Sequence, residues 1–250
     1  MRERLQVLAV AYPEESRKYQ TTLCIAGITE DGDWRRLYPV PWLTYRALNG
    51  IPKRGWIEYE LREGVKGERK DDRKESRKVK HQSIRKVCDP ISQEELRDNL
   101  RPQVTSIEQL RERYFDDFTS LGIIKPELID MGFKINQAYT GYAQTKLSPE
   151  IIQITQLKDK PQYRFRCSQS KDCNNHNIIC EDIEVGQLYR KYERKEDIRH
   201  EKMKDKLFYK MQKLDLHFIV GTYAFQPSWL IVGLLYPHLP EPYKQTSLAN

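Results

Sequence analysis

Apolar residues run almost unbroken from Leu5 to Tyr12 (LQVLAVAY), the pattern of a strand buried on both faces. Tyr19 to Ile28 (YQTTLCIAGI) is rich in β-branched and aromatic residues and reads as a second strand. Glu30-Asp-Gly-Asp33 supplies a tight turn with a glycine, and Trp34 to Val40 returns, so residues 19–40 predict a hairpin. By the period of two, Arg35 and Arg36 on the returning strand point to opposite faces. Pro41 to Arg54 is a short helical or irregular connector, and Trp56 to Leu61 alternates as a fourth strand.

Helical spacing follows at Ser92–Asn99, where Ser92 and Glu95 form a capping box, and at Ser106–Leu121, capped by Ser106 and closed by Gly122. Lys125 to Gly141 fits neither period and places a domain boundary, giving residues 1–135 and 136–250. Ile151–Leu157 predicts a strand, Asp-Lys-Pro a turn, and Tyr163–Arg166 a second strand. Ile183–Arg194 predicts a helix. Asp197–Leu214 is a charged helix with one apolar stripe at Met203, Leu207, Phe208, Met211 and Leu214. Phe218–Tyr223 and Trp229–Tyr236 close the chain as a hairpin around Gln226-Pro227-Ser228, before a proline-rich tail. The fold class is β-rich α+β, in two small domains.

Composition changes this picture in one place. Of 43 basic and 36 acidic residues, net +7, the segment Arg62–Lys86 holds eleven Lys/Arg against five Asp/Glu, a net of +6 (11 minus 5). An excess of this kind speaks of polyanions and solubility, not of fold. Lys66, Arg69, Lys70, Arg73, Lys74, Arg77, Lys78 and Lys80, with Arg35 and Arg36, are candidate phosphate contacts. Trp34, Tyr38, Trp42, Trp56 and Tyr59 are either stacking platforms for single-stranded bases or core residues. The alternative for the segment is a solvated loop, and Asp71, Asp72 and Glu75 within it read as internal ion pairing rather than as paired carboxylates of a metal-dependent nuclease.

The densest chemistry lies at Tyr163–Glu184, which holds Cys167, Cys173, His176 and Cys180. Two or more thiolates with an imidazole are zinc ligands, although C-x5-C-x2-H-x3-C matches no common finger spacing. Asn174 and Asn175 tolerate the left-handed backbone that a reversal there would use. The competing reading is reduced cysteines in an ordinary turn. Asp182 and Glu184 just beyond serve as second-shell support or a helix cap; with His176 they are also the residues of an alternative, a metal-dependent nuclease. Five cysteines, odd in number, with no secretory signal, predict a reducing cytoplasm and metal rather than disulfides. No apolar run reaches the roughly 20 residues of a membrane span. No phosphate-binding glycine loop, nucleophile elbow or HExxH helix is present.

Cys24-Ile-Ala-Gly27 followed by Gly32-Asp-Trp-Arg-Arg36, then Asp72-Arg-Lys-Glu-Ser76 and the run from Cys167 to Glu184, resembles bacterial dual OB-fold domain proteins. The resemblance implies two OB-like barrels with accessory helices, the second carrying the Cys/His zinc loop. It also implies nucleic-acid binding in genome-defence or mobile-element settings, on a single strand or a guide/target strand. The expectation is therefore a zinc-binding, cytoplasmic accessory protein whose partners are DNA or RNA and a larger protein or ribonucleoprotein complex. An adaptor whose basic loop docks on an acidic protein is the third possibility.

Overall fold

The apolar run at the N-terminus is β1 (Arg2–Val10) in a computed structural model of the chain, which describes residues 1–16, 18–63, 71–137, 139, 156–171, 173–223 and 228–239. It is followed by β2 (Glu14–Ser16), β3 (Gln20–Ile28), β4 (Trp34–Pro41), α1 (Trp42–Ala47) and β5 (Trp56–Glu60). Two short strands, β6 (Ser76–Arg77) and β7 (Arg85–Cys88), and α2 (Gln93–Leu100) complete the first half. The sheet order is β6-β4-β3-β1-β5-β7, with β2 on β3. The expected hairpin is the antiparallel β3·β4 ladder, Ile28 opposite Trp34. β6 joins β4 in parallel, and a single antiparallel bridge ties Leu61 to Val79.

The second half adds β8 (Val104–Thr105), α3 (Ile107–Asp117), β9 (Leu121–Ile124), β10 (Pro126–Ile135), β11 (Asp159–Cys167) and β12 (His176–Ile179). After these come α4 (Ile183–Lys191), α5 (Glu196–Lys204), β13 (His217–Thr222) and β14 (Trp229–Leu235). They form a four-stranded sheet, β14-β13-β9-β8, and a three-stranded one, β10-β11-β12. The molecule is thus β-rich α+β, and among the described residues no ladder closes a barrel.

The four-stranded sheet is the middle layer. Phe218 and Val220 of β13 face the three-stranded sheet and the helices, while Ile219 between them packs on Leu8, Ala9, Ala26 and Ile28 of the first sheet. This explains the apolar run of β1. A register shift between Val7 and Ala9 turns both Leu8 and Ala9 toward the middle layer, whereas Leu5, Val7 and Val10 fill the first sheet's own core.

Several elements differ from expectation. Lys125–Gly141 contains β10, paired along its whole length with β11, so residues 104–135 share sheets with the C-terminal half rather than the first. The expected division at 135 does not coincide with the sheet pairings. α3 ends early, at Phe118 in the left-handed region (φ 62°), and Gly122 lies inside β9. A Cβ at Gly122 would come within 2.7 Å of the Leu110 methyls, so the glycine seats α3 directly on β9. The Asp-Lys-Pro turn is instead the start of β11. Of the strand expected at 151–157, residues 151–155 lie outside the described residues, and so do Gln226 and Pro227 of the closing turn. The charged helix stops at Lys204 and continues as a π-helical turn, Asp205–Tyr209, and a 3-10 turn, Met211–Lys213. The widened turn lets the adjacent Leu207 and Phe208 both enter the core.

Candidate metal centre and basic groove

Cys167 ends β11, and His176, at the start of β12, pairs back with Phe165. Asn174 and Asn175 do not take positive φ. The turn is held instead by Ser170 N–H on Cys167 O, Cys173 N–H on Ser170 O, and Arg166 Nε donating to Asn175 Oδ1 at 2.9 Å. It brings Cys173 beside His176, with Sγ and Nε2 3.1 Å apart.

The fourth donor comes from elsewhere. Glu108, in the first turn of α3, places Oε1 2.9 Å from His176 Nε2. Glu108, Cys167, Cys173 and His176 offer four donor atoms within 4.8 Å of one another, a set able to hold a metal ion. A tetrahedral ion with ordinary Zn–S and Zn–N lengths needs edges of about 3.3–3.6 Å, so the two close pairs would open by roughly half an ångström. Both sulfurs accept backbone N–H groups: Ile107 N–H to Cys167 Sγ at 3.4 Å and Cys167 N–H to Cys173 Sγ at 3.1 Å. The first of these donors is an otherwise unpaired amide at the α3 N-terminus, where thiolate charge is favoured.

Burial pushes the Cys167 thiol up to about 12, with the charges of Cys173 and Glu108 acting the same way, so a cation would relieve a real electrostatic cost. Burial also lowers the His176 imidazole, which keeps a nitrogen lone pair free to ligate. Burial would raise Glu108, but hydrogen bonds from its own backbone N–H and Ser106, with His176 nearby, hold it below the ordinary carboxylate value.

Cys180 is not part of this cluster. Four residues further along an extended strand, it lies about 13 Å from His176. It is buried, and that burial raises its thiol well above the usual value. Asp182 and Glu184 do not join His176 either. Asp182 caps α4 through Glu184 N–H and accepts from Lys53 Nζ at 2.8 Å and Leu234 N–H at 2.7 Å. Glu184 pairs with the same lysine at 2.6 Å. Lys53, buried and shared by two carboxylates, is held above its ordinary value: burial pulls it down, but the two charges outweigh it.

The expected phosphate contacts divide. Arg36 is buried, its guanidinium donating to Ser120 O at 2.8 Å, Ser120 Oγ at 3.0 Å and Thr222 O at 3.4 Å. Arg73 is buried too, paired with Asp71 at 2.6 Å and donating to Thr222 O at 3.0 Å. These two fasten the first half to the second and are not surface cations. Glu75 beside them accepts from Ser120 N–H, Ser120 Oγ and Leu121 N–H. Lys80 is exposed and paired with Glu60, and Lys78 is half-buried. Lys66, Arg69 and Lys70 lie outside the described residues.

Arg35, Lys74 and Arg77 do converge, in a groove of about 380 Å³ completed by Arg113 of α3. Arg35 is paired with Glu3 and Asp33, and Lys74 with Asp117. Arg77 donates only to the backbone oxygens of Lys74 (3.0 Å) and Ser76 (2.9 Å). The Arg113 side chain makes no hydrogen bond or ion pair among the described residues. Glu108 and Arg113 are five residues apart, about 140° around α3. One helix therefore offers a metal ligand on one face and a groove cation on another. At its end Phe115 and Phe118 are 75% and 51% exposed. Sequence spacing gave no signal for Glu108 or Arg113 beyond placing them on a Ser106-capped helix.

The trace of the groove continues. Arg77 also lines a depression of about 300 Å³ with Tyr38 and Lys78, and Tyr38 opens onto a smaller cavity between the first sheet and β13–β14. No helix among the described residues is long and apolar enough to cross a membrane. No curated protein matches the chain. Residues 1–105 match a family described as a domain of unknown function, DUF8758, and residues 103–250 match a second, DUF8757. The two matches meet at 103–105, where the sheet partnerships change hands. Its match spanning more than half of the sequence, the chain belongs to the DUF8757 family, a domain of unknown function.

Proposed function

We propose that this is a zinc-stabilised nucleic-acid-binding protein, with the phosphate backbone of a strand lying in the groove of Arg35, Lys74, Arg77 and Arg113. The observation that carries this reading is the convergence of four cations from three separate segments, two of them without a carboxylate partner among the described residues. Such groups bind phosphates by releasing counterions, and arginines can grip them bidentately. Exposed Phe115 and Phe118 add aromatic surface beside Lys74, whose N–H bonds to Phe118 O.

The strand order supports an OB-like reading of the first half. β1, β3, β4, the 76–79 segment and β5 follow one another through ladders and the Leu61–Val79 bridge, with β4·β6 parallel. An OB-fold is a five-stranded, partly open barrel that binds strands on its second and third strands and flanking loops. The described residues 71–75 of the basic segment would then lead into the fifth strand. The sequence likeness to dual OB-fold proteins adds the cytoplasmic genome-defence or mobile-element setting. Two thiolates with an imidazole favour zinc over harder ions at the four-donor cluster. Its role is to fix α3, and with it Arg113.

Fluorescence anisotropy with labelled single- and double-stranded oligonucleotides tests the reading. Binding that weakens at least tenfold in an Arg77→Ala/Arg113→Ala variant supports it; absence of binding, or an unaffected variant, refutes it.

A further inference from the structure

The cavity behind Tyr38 is built from both halves of the chain, and it is chemically unlike the groove. Ala11, Leu23, Leu230 and Val232 supply apolar walls. Arg36 and Arg73 bring two guanidiniums to its lining, and Glu14 and Glu181 bring two carboxyl groups. Its volume of about 80 Å³ would hold roughly six waters, about the size of one six-membered heterocycle with its substituents.

Among the described residues, Arg36 Nε and the hydroxyl of Thr222 on its lining, in residues only 3% exposed each, have no hydrogen-bond partner. Unsatisfied groups of this kind are costly, and a ligand offering acceptors or donors would repair them. Among the described residues Glu14 has no ion-pair partner, and burial with the nearby Glu181 raises its carboxyl above the ordinary value despite Lys160. Protonated, it donates; ionised, it accepts.

A flat ring with polar edges and apolar faces suits such a lining. Arginine N–H groups match the carbonyl acceptors of a pyrimidine, and a carboxylate accepts from the exocyclic amine of cytosine. Tyr12, Tyr38 and Tyr223 provide aromatic lining for its faces. Tyr38 lines both this cavity and the depression beside Arg77, so the cavity adjoins the groove's surroundings.

We infer that this cavity is a nucleobase pocket, taking one base of a bound strand or the base of a free mononucleotide. The first source rests on the nucleic-acid reading above; the second does not.

Anisotropy on the full chain, with a labelled oligonucleotide and a fully abasic strand of equal length, separates the sources. The four nucleoside monophosphates are titrated in parallel by calorimetry. Cys24→Phe, which fills the cavity, and the nearly isosteric Thr222→Val are compared with the wild type, their folding checked by circular dichroism. If a strand supplies the base, the normal oligonucleotide binds at least tenfold tighter than the abasic one. Cys24→Phe then removes the difference, and Thr222→Val reduces it several-fold. If a free nucleotide does, a monophosphate binds the wild type and not Cys24→Phe. Equal affinity for both strands, with no monophosphate binding, overturns the pocket and leaves the groove standing. No binding to any of these overturns both. Should Cys24→Phe not fold, an unchanged preference in Thr222→Val overturns the pocket.

Discussion

Glu108 on α3 and His176 on β12 stand 2.9 Å apart, carboxylate oxygen to imidazole nitrogen, joining a helix of the second half to a hairpin far along the chain. With Cys167 and Cys173 they form the only group of three or more metal-type donors among the described residues.

The metal centre gives the first prediction. The purified protein should carry about one equivalent of zinc. Cys173→Ser and Glu108→Ala should lose it and melt at least 5 °C lower, since structural zinc contributes folding energy directly. Cys180→Ala should keep its zinc and lose only about 1–2 kcal/mol, the cost of a small cavity. Metal retained in Cys173→Ser, or lost in Cys180→Ala, contradicts the ligand set.

The Lys53–Asp182 contact gives the second. Both side chains are buried, and the pair bridges the connector before β5 to α4 and β14. Lys53→Ala strands a buried carboxylate and should cost about 3–5 kcal/mol in denaturant unfolding. A loss below 1 kcal/mol would show that the halves are held together elsewhere.

Glu75 and Arg36 make the third. Glu75 accepts Ser120 and Leu121 amides, and Ser120 in turn receives Arg36. Glu75→Ala leaves those amides unsatisfied and should destabilise by about 1–3 kcal/mol. Arg36→Ala should likewise unfold more easily; a stable Arg36→Ala that loses only oligonucleotide affinity would return Arg36 to the binding surface.

The fourth concerns acid. His217 is 1% exposed, and burial holds its imidazole below the ordinary value, Lys125 and Arg101 adding to this and Asp215 opposing it. The unfolded chain therefore takes up the proton first as pH falls. Stability from the neutral ring is present above about pH 6.5 and is lost below it. Chemical denaturation at pH 7.5 and 5.5 should show a smaller drop in His217→Gln than in the wild type; equal drops would contradict the assignment.

Local chemistry made part of this legible. β1, β3 and β4 follow from apolar runs and a glycine turn, and Cys167, Cys173 and His176 from proximity in sequence. Glu108 was hidden because only tertiary packing of α3 on β9, against Gly122, carries it to the thiols. Arg36 and Arg73 were misread because a charge count does not reveal partners. The alternation that sends Arg36 to one face of β4 cannot tell that β13 and Ser120 cover that face. The early end of α3 was missed since Phe118, not glycine, takes the left-handed cap.

The groove is the centre of the account, and the salt dependence of oligonucleotide binding tests it most directly. Four cations on a single strand predict a slope of log K against log salt near −3, about 0.7 per phosphate. It should shrink toward −1.5 in the Arg77→Ala/Arg113→Ala variant. A slope near zero, or one that the double variant leaves unchanged, would contradict it.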